Sequence, residues 1–165
     1  MKNIFVLLLI ASLYSQSINA QINLNKITDI EYKQIQINNI SIITILNTHG
    51  NYSQLKSLFG NDLLYEEYDL PSLGKALWNN FISMRFEDED YTLCHLEVFE
   101  STTVTIKGNE VKIGDNINKL GRVLINTNEG DYSVIFIDES TFTASLAFKI
   151  DPVTHTIVEI SYNLF

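Results

Sequence analysis

Four consecutive acids, Glu87-Asp88-Glu89-Asp90, form the densest run of chemistry-bearing side chains in the sequence. Clustered oxygens are what a hard cation such as calcium requires. The EF-hand pattern fails here, because no glycine follows at the required place and no glutamate closes a twelve-residue loop. The run also suits a charged hairpin tip, which keeps a sheet edge from pairing with other chains. Asn126-Thr127-Asn128-Glu129-Gly130-Asp131 is a second oxygen-rich, loop-like stretch. Both stand as candidate calcium loops, beside the plainer reading of solvated turns.

Other reactive groups are scattered. His49, His95 and His155 lack helical i, i+4 spacing and cysteine partners, so the sequence presents no zinc pattern. His95 follows Cys94, but neighbouring residues of a strand point to opposite faces; that geometry excludes a Cys94–His95 dyad. His95 is instead placed to pair across strands with Arg85, or with Glu97. There is no nucleophile elbow, no phosphate-binding glycine loop and no dinucleotide fingerprint. Nothing selects one carboxylate pair for glycosidase chemistry. The sequence therefore implies no cofactor and no catalytic set. Two N-glycosylation sequons, Asn39-Ile40-Ser41 and Asn51-Tyr52-Ser53, matter only in a eukaryotic secretory route; both asparagines also suit a turn and a helix cap.

Aromatic side chains in loops and at strand ends are the better functional lead. Tyr65, Tyr68, Trp78 and Tyr91 lie in or beside loops of the first half, and Phe81 and Phe99 fall on one predicted sheet face. Tyr and Trp anchor protein interfaces because they bury large areas with few rotatable bonds. With Arg85 and His95 on the same face, these eight residues are the candidate protein-binding set.

Composition narrows the partner. Lys2, the apolar stretch from Ile4 to Ala11 and the small residues ending at Ala20 read as a signal peptide cleaved near Ala20. The expected product is a periplasmic or secreted protein, and the heavy use of Ile and Asn fits a bacterial source. Later segments fall short of the ~20 apolar residues of a membrane span, so no stable membrane insertion is expected after cleavage. The remaining chain holds 20 Asp and Glu against ten Lys and Arg. That balance excludes nucleic acid, whose phosphates need clustered bases, and favours a basic protein partner. A single cysteine rules out an internal disulfide; Cys94 is expected to face the core as a small hydrophobe.

The elements that must position these residues are α+β in character. Residues 21–33 read as a polar N-terminal arm. The rest reads as two tandem units, 34–101 and 102–165, each a β-hairpin, a short helix and antiparallel strands, with the helices packed on one sheet face. Ser83-Met84-Arg85-Phe86 is matched by Ser145-Leu146-Ala147-Phe148, and Leu96-Glu97-Val98 by Val158-Glu159-Ile160, both at an offset of 62. Asn38-Asn39 and Gly108-Asn109 mark hairpin turns. Asn51 is expected to cap a helix over Tyr52–Phe59 ended by Gly60, and Asp115 to cap a second helix carrying Ile117, Leu120, Val123 and Leu124 inward. Tyr65 to Asp69 reads as loop. Strands are expected over Trp78–Glu87, Thr92–Glu100, Tyr132–Ile137, Thr141–Ile150 and Thr156–Leu164.

Parity fixes the faces. Phe142, Ala144, Leu146, Phe148 and Ile150 can share the core side with Val158, Ile160, Tyr162 and Leu164 only if an odd number of residues connects them. A three-residue loop, Pro152-Val153-Thr154, would serve. Transferred by 62 residues, the same register puts Ile82, Met84 and Phe86 with Cys94, Leu96 and Val98 against the helices. Phe81, Ser83, Arg85, His95, Glu97 and Phe99 then form the open face, with Lys149, His155 and Glu159 in the second half.

The stretches Gly50-Asn51-Tyr52-Ser53-Gln54-Leu55-Lys56-Ser57-Leu58-Phe59-Gly60 and Ile113-Gly114-Asp115-Asn116-Ile117-Asn118-Lys119-Leu120 each give a glycine, a capping residue and a short Leu-rich helix. In this the chain resembles the β-lactamase-inhibitor-like and outer-membrane-assembly-lipoprotein-like group of small exported repeat domains, over residues 34–165. The resemblance implies protein binding by a concave sheet, without catalysis. The chain lacks the inhibitors' disulfides and the lipoproteins' lipid-bearing cysteine. The expectation is thus an exported, non-catalytic, inhibitor- or assembly-factor-like module that binds protein through its open sheet face. Two other classes fit the composition: a small ligand-binding or hydrolytic domain using His95 and nearby carboxylates in a cleft between repeats, and an acidic immunity-type inhibitor of a secreted toxin.

Overall fold

The computed structural model describes residues 25–67, 74–87, 92–127, 132–139 and 144–164. The expected signal peptide, the start of the arm, Tyr68, Tyr91, Phe142, residues 88–90 and residues 128–131 lie outside them. In order, the elements begin with β1 (Lys26–Ile27), α1 (Asp29–Lys33), β2 (Gln36–Ile37), β3 (Ile40–Ser41), α2 (Ile42–Leu46) and α3 (Tyr52–Phe59). There follow β4 (Leu64–Glu67), β5 (Lys75–Trp78), β6 (Ile82–Glu87), β7 (Thr92–Val98), β8 (Val104–Ile106) and β9 (Asn109–Val111). A 3-10 turn (Ile117–Leu120), β10 (Ser133–Asp138), β11 (Ala144–Ile150) and β12 (Ile157–Leu164) complete the described chain.

Mixed α and β structure is present, with strand dominant. One sheet has the order β1-β10-β11-β12-β7-β6-β5-β4, and a smaller one β3-β2-β8-β9. β1 runs parallel to β10, while the other pairings in both sheets are antiparallel. Each sheet joins the two halves of the chain, through β12 with β7 and through β2 with β8. One face of the large sheet, the helices and the small sheet share a single apolar core that includes Ile45, Leu55, Leu77, Met84, Phe86, Leu96, Val104, Phe136, Phe148 and Ile160.

Local chemistry sets several boundaries where the sequence placed them. Asn38 and Asn39 both take positive φ, at 48° and 64°, and turn β2 into β3. The Asn51 side chain accepts from the Gln54 amide at 3.1 Å and starts α3, which Gly60 ends. Other boundaries move. The 8–9 turn uses Lys107 and Gly108, one residue before the expected pair. Asn116 caps the 3-10 turn, accepting from the Asn118 amide. Asp115 instead accepts from the Lys112 amide and pairs with Lys119 at 2.7 Å, and Lys119 is the main reason its carboxyl titrates low. Val123 and Leu124 are not helical. The supposed loop holding Tyr65 includes strand β4, paired with β5. The long strand expected from Trp78 breaks at Asn79-Asn80-Phe81.

That break is organised by one buried side chain. The Asn79 carboxamide oxygen accepts from the Phe81 and Ile82 amides, and its nitrogen donates to the Phe59 carbonyl at 3.1 Å. It thereby ties the end of α3 to the start of β6. No buried side-chain nitrogen or oxygen among the described residues lacks a hydrogen bond, as a cooperative core demands.

The arm is also more structured than a polar lead-in. Thr28 and Glu31 form a reciprocal capping box for α1. Ile27 is buried, and Lys107 holds Glu31 at 3.5 Å. Tyr32 reaches the hydroxyl of buried Tyr162 at 2.9 Å. Burial is the first reason that both phenols titrate above their ordinary range.

Both large hairpins contain a β-bulge, and the bulges correct the expected faces. In β6–β7, Arg85 pairs with His95 but Phe86 with Leu93, leaving Cys94 as the extra residue. In β11–β12, Lys149 pairs with Glu159 but Ile150 with Ile157, leaving Val158 extra. Leu93 and Ile157 therefore take the buried places expected of Cys94 and Val158. The odd count is met by a six-residue connection, 151–156, plus one bulge residue, not by three loop residues. Asp151 closes the connection by accepting from the Val153 and Thr154 amides, both at 2.8 Å. His155 sits in that connection at positive φ and not on the sheet face.

Phe86 leaves no room beside Gly74. A Cβ built there would lie 1.8 Å from the Phe86 carbonyl oxygen, and the glycine's φ is +63°. Gly108 has a similar φ of +75° but open space. Gly108→Ala should cost about 1–2 kcal/mol, the ordinary left-handed penalty. Gly74→Ala should lose more than about 3 kcal/mol, since the β5–β6 ladder must also move. Denaturant unfolding of both variants checks this, and equal losses would show that the close approach is not a constraint.

Candidate functional site

Alternation along the strands leaves one face of the large sheet without a covering layer of apolar side chains. Arg85 and His95 are direct neighbours on it, joined on the far side by Asn163 and on the near side by Ala76. The next row brings Trp78, Ser83, Glu97 and Ser161 together in register. Ser83 is small, which leaves room beside the half-buried indole of Trp78. Lys149 and Glu159 face each other farther along β11 and β12. The surface is thus polar and small at its centre, with Trp78 and Leu64 toward one edge and Ile135 and Ile137 toward the other.

Hydrogen bonds orient its polar groups. His95 Nδ1 lies 2.8 Å from Asn163 Oδ1. Because that oxygen can only accept, Nδ1 carries the proton. Asn163 in turn donates weakly to Ser161 Oγ at 3.5 Å. The Arg85 guanidinium stands 3.4 Å from Glu87 Oε1, an exposed pair worth ~0–1 kcal/mol. What this arrangement offers is an aromatic edge, a cation and an oriented imidazole on one sheet face, around the buried Ser161.

Of the eight residues nominated from sequence, the structure brings Trp78, Arg85 and His95 together here. Tyr68 and Tyr91 lie outside the described residues. Tyr65 takes the other side of the sheet edge: it pairs in register with buried Leu77 and stacks on Tyr52 of α3 at 5.3 Å. Phe81 belongs to the β5–β6 turn and lines a hollow with Leu58 and Phe59 on the helix layer, so it leaves the expected open face. Phe99 donates its amide to the Phe81 carbonyl at the end of β7. Asn163 and Ser161 were missed from sequence, although their alternation with Ile160, Tyr162 and Leu164 marks them as outward.

No group of three His, Cys, Asp or Glu side chains gathers among the described residues. His49, His95 and His155 stand respectively on the α2–α3 turn, β7 and the β11–β12 connection. No helix of the described residues is long and apolar enough to cross a membrane. Comparison with protein-family models, with curated proteins and with solved structures gives no match.

Cys94 can be tested directly. The thiol is half-buried in the bulge and donates to the Arg85 carbonyl at 3.3 Å. Burial first, then the Glu87 carboxylate, push its pKa up to about 11. A raised thiol pKa means less thiolate at neutral pH. Iodoacetamide should therefore label the native protein about a hundredfold more slowly than the urea-unfolded chain at pH 7.5. The native rate should climb through about pH 11, and Glu87→Gln should accelerate it. An inflection near the ordinary cysteine value would refute this account.

Proposed function

We propose that the protein is exported and acts as a non-catalytic protein-binding module through the open face of its large sheet. One observation carries this reading. The strands bury one face almost completely, while Trp78, Arg85, His95, Glu97 and Lys149 on the other face keep solvent contact. An aromatic residue beside an arginine on an uncovered sheet face supplies two of the residue types that anchor protein interfaces. The net charge of −9 would steer a basic partner over distances of about a Debye length. Export rests on the amino-terminal Lys2, apolar stretch and Ala20.

We propose as well that the two halves are copies of one unit. Support comes from the matching bulges: Arg85, His95 and Cys94 stand 64 residues before Lys149, Glu159 and Val158. That offset replaces 62, which would equate buried Leu96 with exposed Val158. On this view the copies share a scaffold and differ on the open face, where His95 answers to Glu159.

The test compares the native protein with a Trp78→Ala, Arg85→Glu, His95→Ala variant and with a Val153→Ser control. Each is immobilised and exposed to the exported proteins of its own source. A partner retained by the native protein and the control should be lost by the triple variant, with affinity reduced at least about tenfold. Its association should slow with added salt. Unchanged retention by a triple variant with native circular dichroism would reject the open face as the interface.

A further inference from the structure

The large sheet ends on β4, and among the described residues β5 is the only strand that pairs with it. A strand with one neighbour turns a row of amides and carbonyls away from the sheet, where another extended chain can meet them. The other sheet edges are shorter: β1 and β3 have two residues each and β9 has three, whereas β4 has four. β1 also carries Lys26, paired with Glu139 at 3.8 Å, and an edge lysine hinders further pairing. β4 has no lysine and no proline, and its four residues run in unbroken register with β5, without a bulge. All four are exposed.

Main-chain groups call for an extended polypeptide, and the side chains select which kind. Leu64 and Glu66 lie on the open-face side of the strand, in register with Trp78 and Ala76. Leu64 is 55% exposed. Glu66 makes no ion pair among the described residues. Arg85 lies in its row beyond Ala76, but is engaged with Glu87 at 3.4 Å. A strand added at the usual spacing of about 4.8 Å would set one residue against Leu64 and another, two positions away, against Glu66. A base is favoured opposite Glu66, whereas an acid there is repelled. A second copy of the chain is therefore a poor occupant. It would bring Glu66 and Glu67 to the same four-residue edge, with a further net charge of −9.

We infer that the outer edge of β4 takes up an extended, basic segment of a partner protein as a further strand. A Lys or Arg of that segment faces Glu66, and an apolar residue two positions away covers Leu64. Main-chain pairing supplies the affinity, and the two side chains supply the selection. The edge uses neither Arg85 nor His95, so it stands or falls apart from the open-face reading.

Titration of the full-length, ¹⁵N-labelled protein tests it. The probe is the end-capped peptide Thr-Val-Thr-Lys-Thr-Val-Thr, which puts Lys and both Val residues on one side of a strand. Comparison peptides replace Lys by Glu, both Val by Ser, or a Thr beside the Lys by Pro. The Lys peptide should give saturable amide shifts along β4 and β5, and at low salt should bind at least about fivefold more tightly than the Glu peptide. The Pro peptide should not bind. Only alternate amides of an added strand face its neighbour. N-methylation of the Thr amides and N-methylation of the Lys and Val amides should therefore differ: one set abolishes binding, and the other leaves it within about threefold. Glu66→Lys should erase the preference for Lys, and Leu64→Ser the preference for Val. Binding of the Pro peptide, methylation effects that ignore the alternation, shifts confined to the open face, a dimer in sedimentation held through β4, or no saturation up to about 5 mM would each overturn the proposal.

Discussion

The two bulges are the constraint on which the rest of the structure depends. A strand has a side-chain period of two, so one residue too many or too few exchanges core and solvent for everything beyond it. In β7 the apolar residues Leu93, Leu96 and Val98 cannot share a face without an extra residue between the first two. Cys94 supplies it. In β12 the same holds for Ile157 and Ile160, and Val158 supplies the extra residue. Both bulges therefore keep large aliphatic side chains inside while turning Arg85, His95, Lys149 and Glu159 outward. Without them, each hairpin would present its charges to the core on one side of the bulge.

The position of Phe86 follows from this choice. It begins the shifted part of its ladder, fully buried, with Gly50 at the α2–α3 turn and Gly74 before β5 both pressed against it. Gly50 would place a Cβ at 3.1 Å from the Phe86 ring. Gly50 of the α2–α3 turn is thus fitted to the Phe86 ring, and Gly74 to the backbone carbonyl of the same residue. The sheet's edge and its helix layer are held in place by the same residue that the bulge directs inward. Edge-to-face contact of Phe136 with Phe148 plays a comparable part between β10 and β11.

How much of this was legible in the sequence varied with the range of the interaction that decided it. Signals confined to three or four residues were readable: Asn38-Asn39, the Asn51 cap and the Gly60 stop stand where expected. Thr28-Asp29-Ile30-Glu31 was equally readable as a capping box, yet its polar setting disguised it as part of an arm. Alternation gave the outward set Ser83, Arg85, His95 and Glu97 correctly. It failed at Cys94 and Val158, because a bulge is fixed by pairing across strands and not by either strand alone. The available signal was the doubled apolar residue, Leu93-Cys94 and Ile157-Val158. Phe81 was misplaced for a related reason: strand alternation carried it onto the open face, whereas Asn79 bends the chain before β6.

That bend decides how the open sheet face and the helix layer relate. The Asn79 side chain takes two amide donors from the turn and gives its own to Phe59 at the end of α3. The Phe81 carbonyl accepts from the Phe99 amide and from the Thr102 hydroxyl at 2.6 Å. Phe81 is exposed as a side chain yet fixed as a backbone, so its ring is presented to the helix layer at little entropic cost. Two residues later, Ser83 lies on the opposite surface beside Trp78. A short, fully hydrogen-bonded turn therefore separates an aromatic residue of one surface from the aromatic edge of the other. The division is structural: side chains before and after Ile82 serve different faces, because Asn79 holds the chain's direction at the point where alternation resumes.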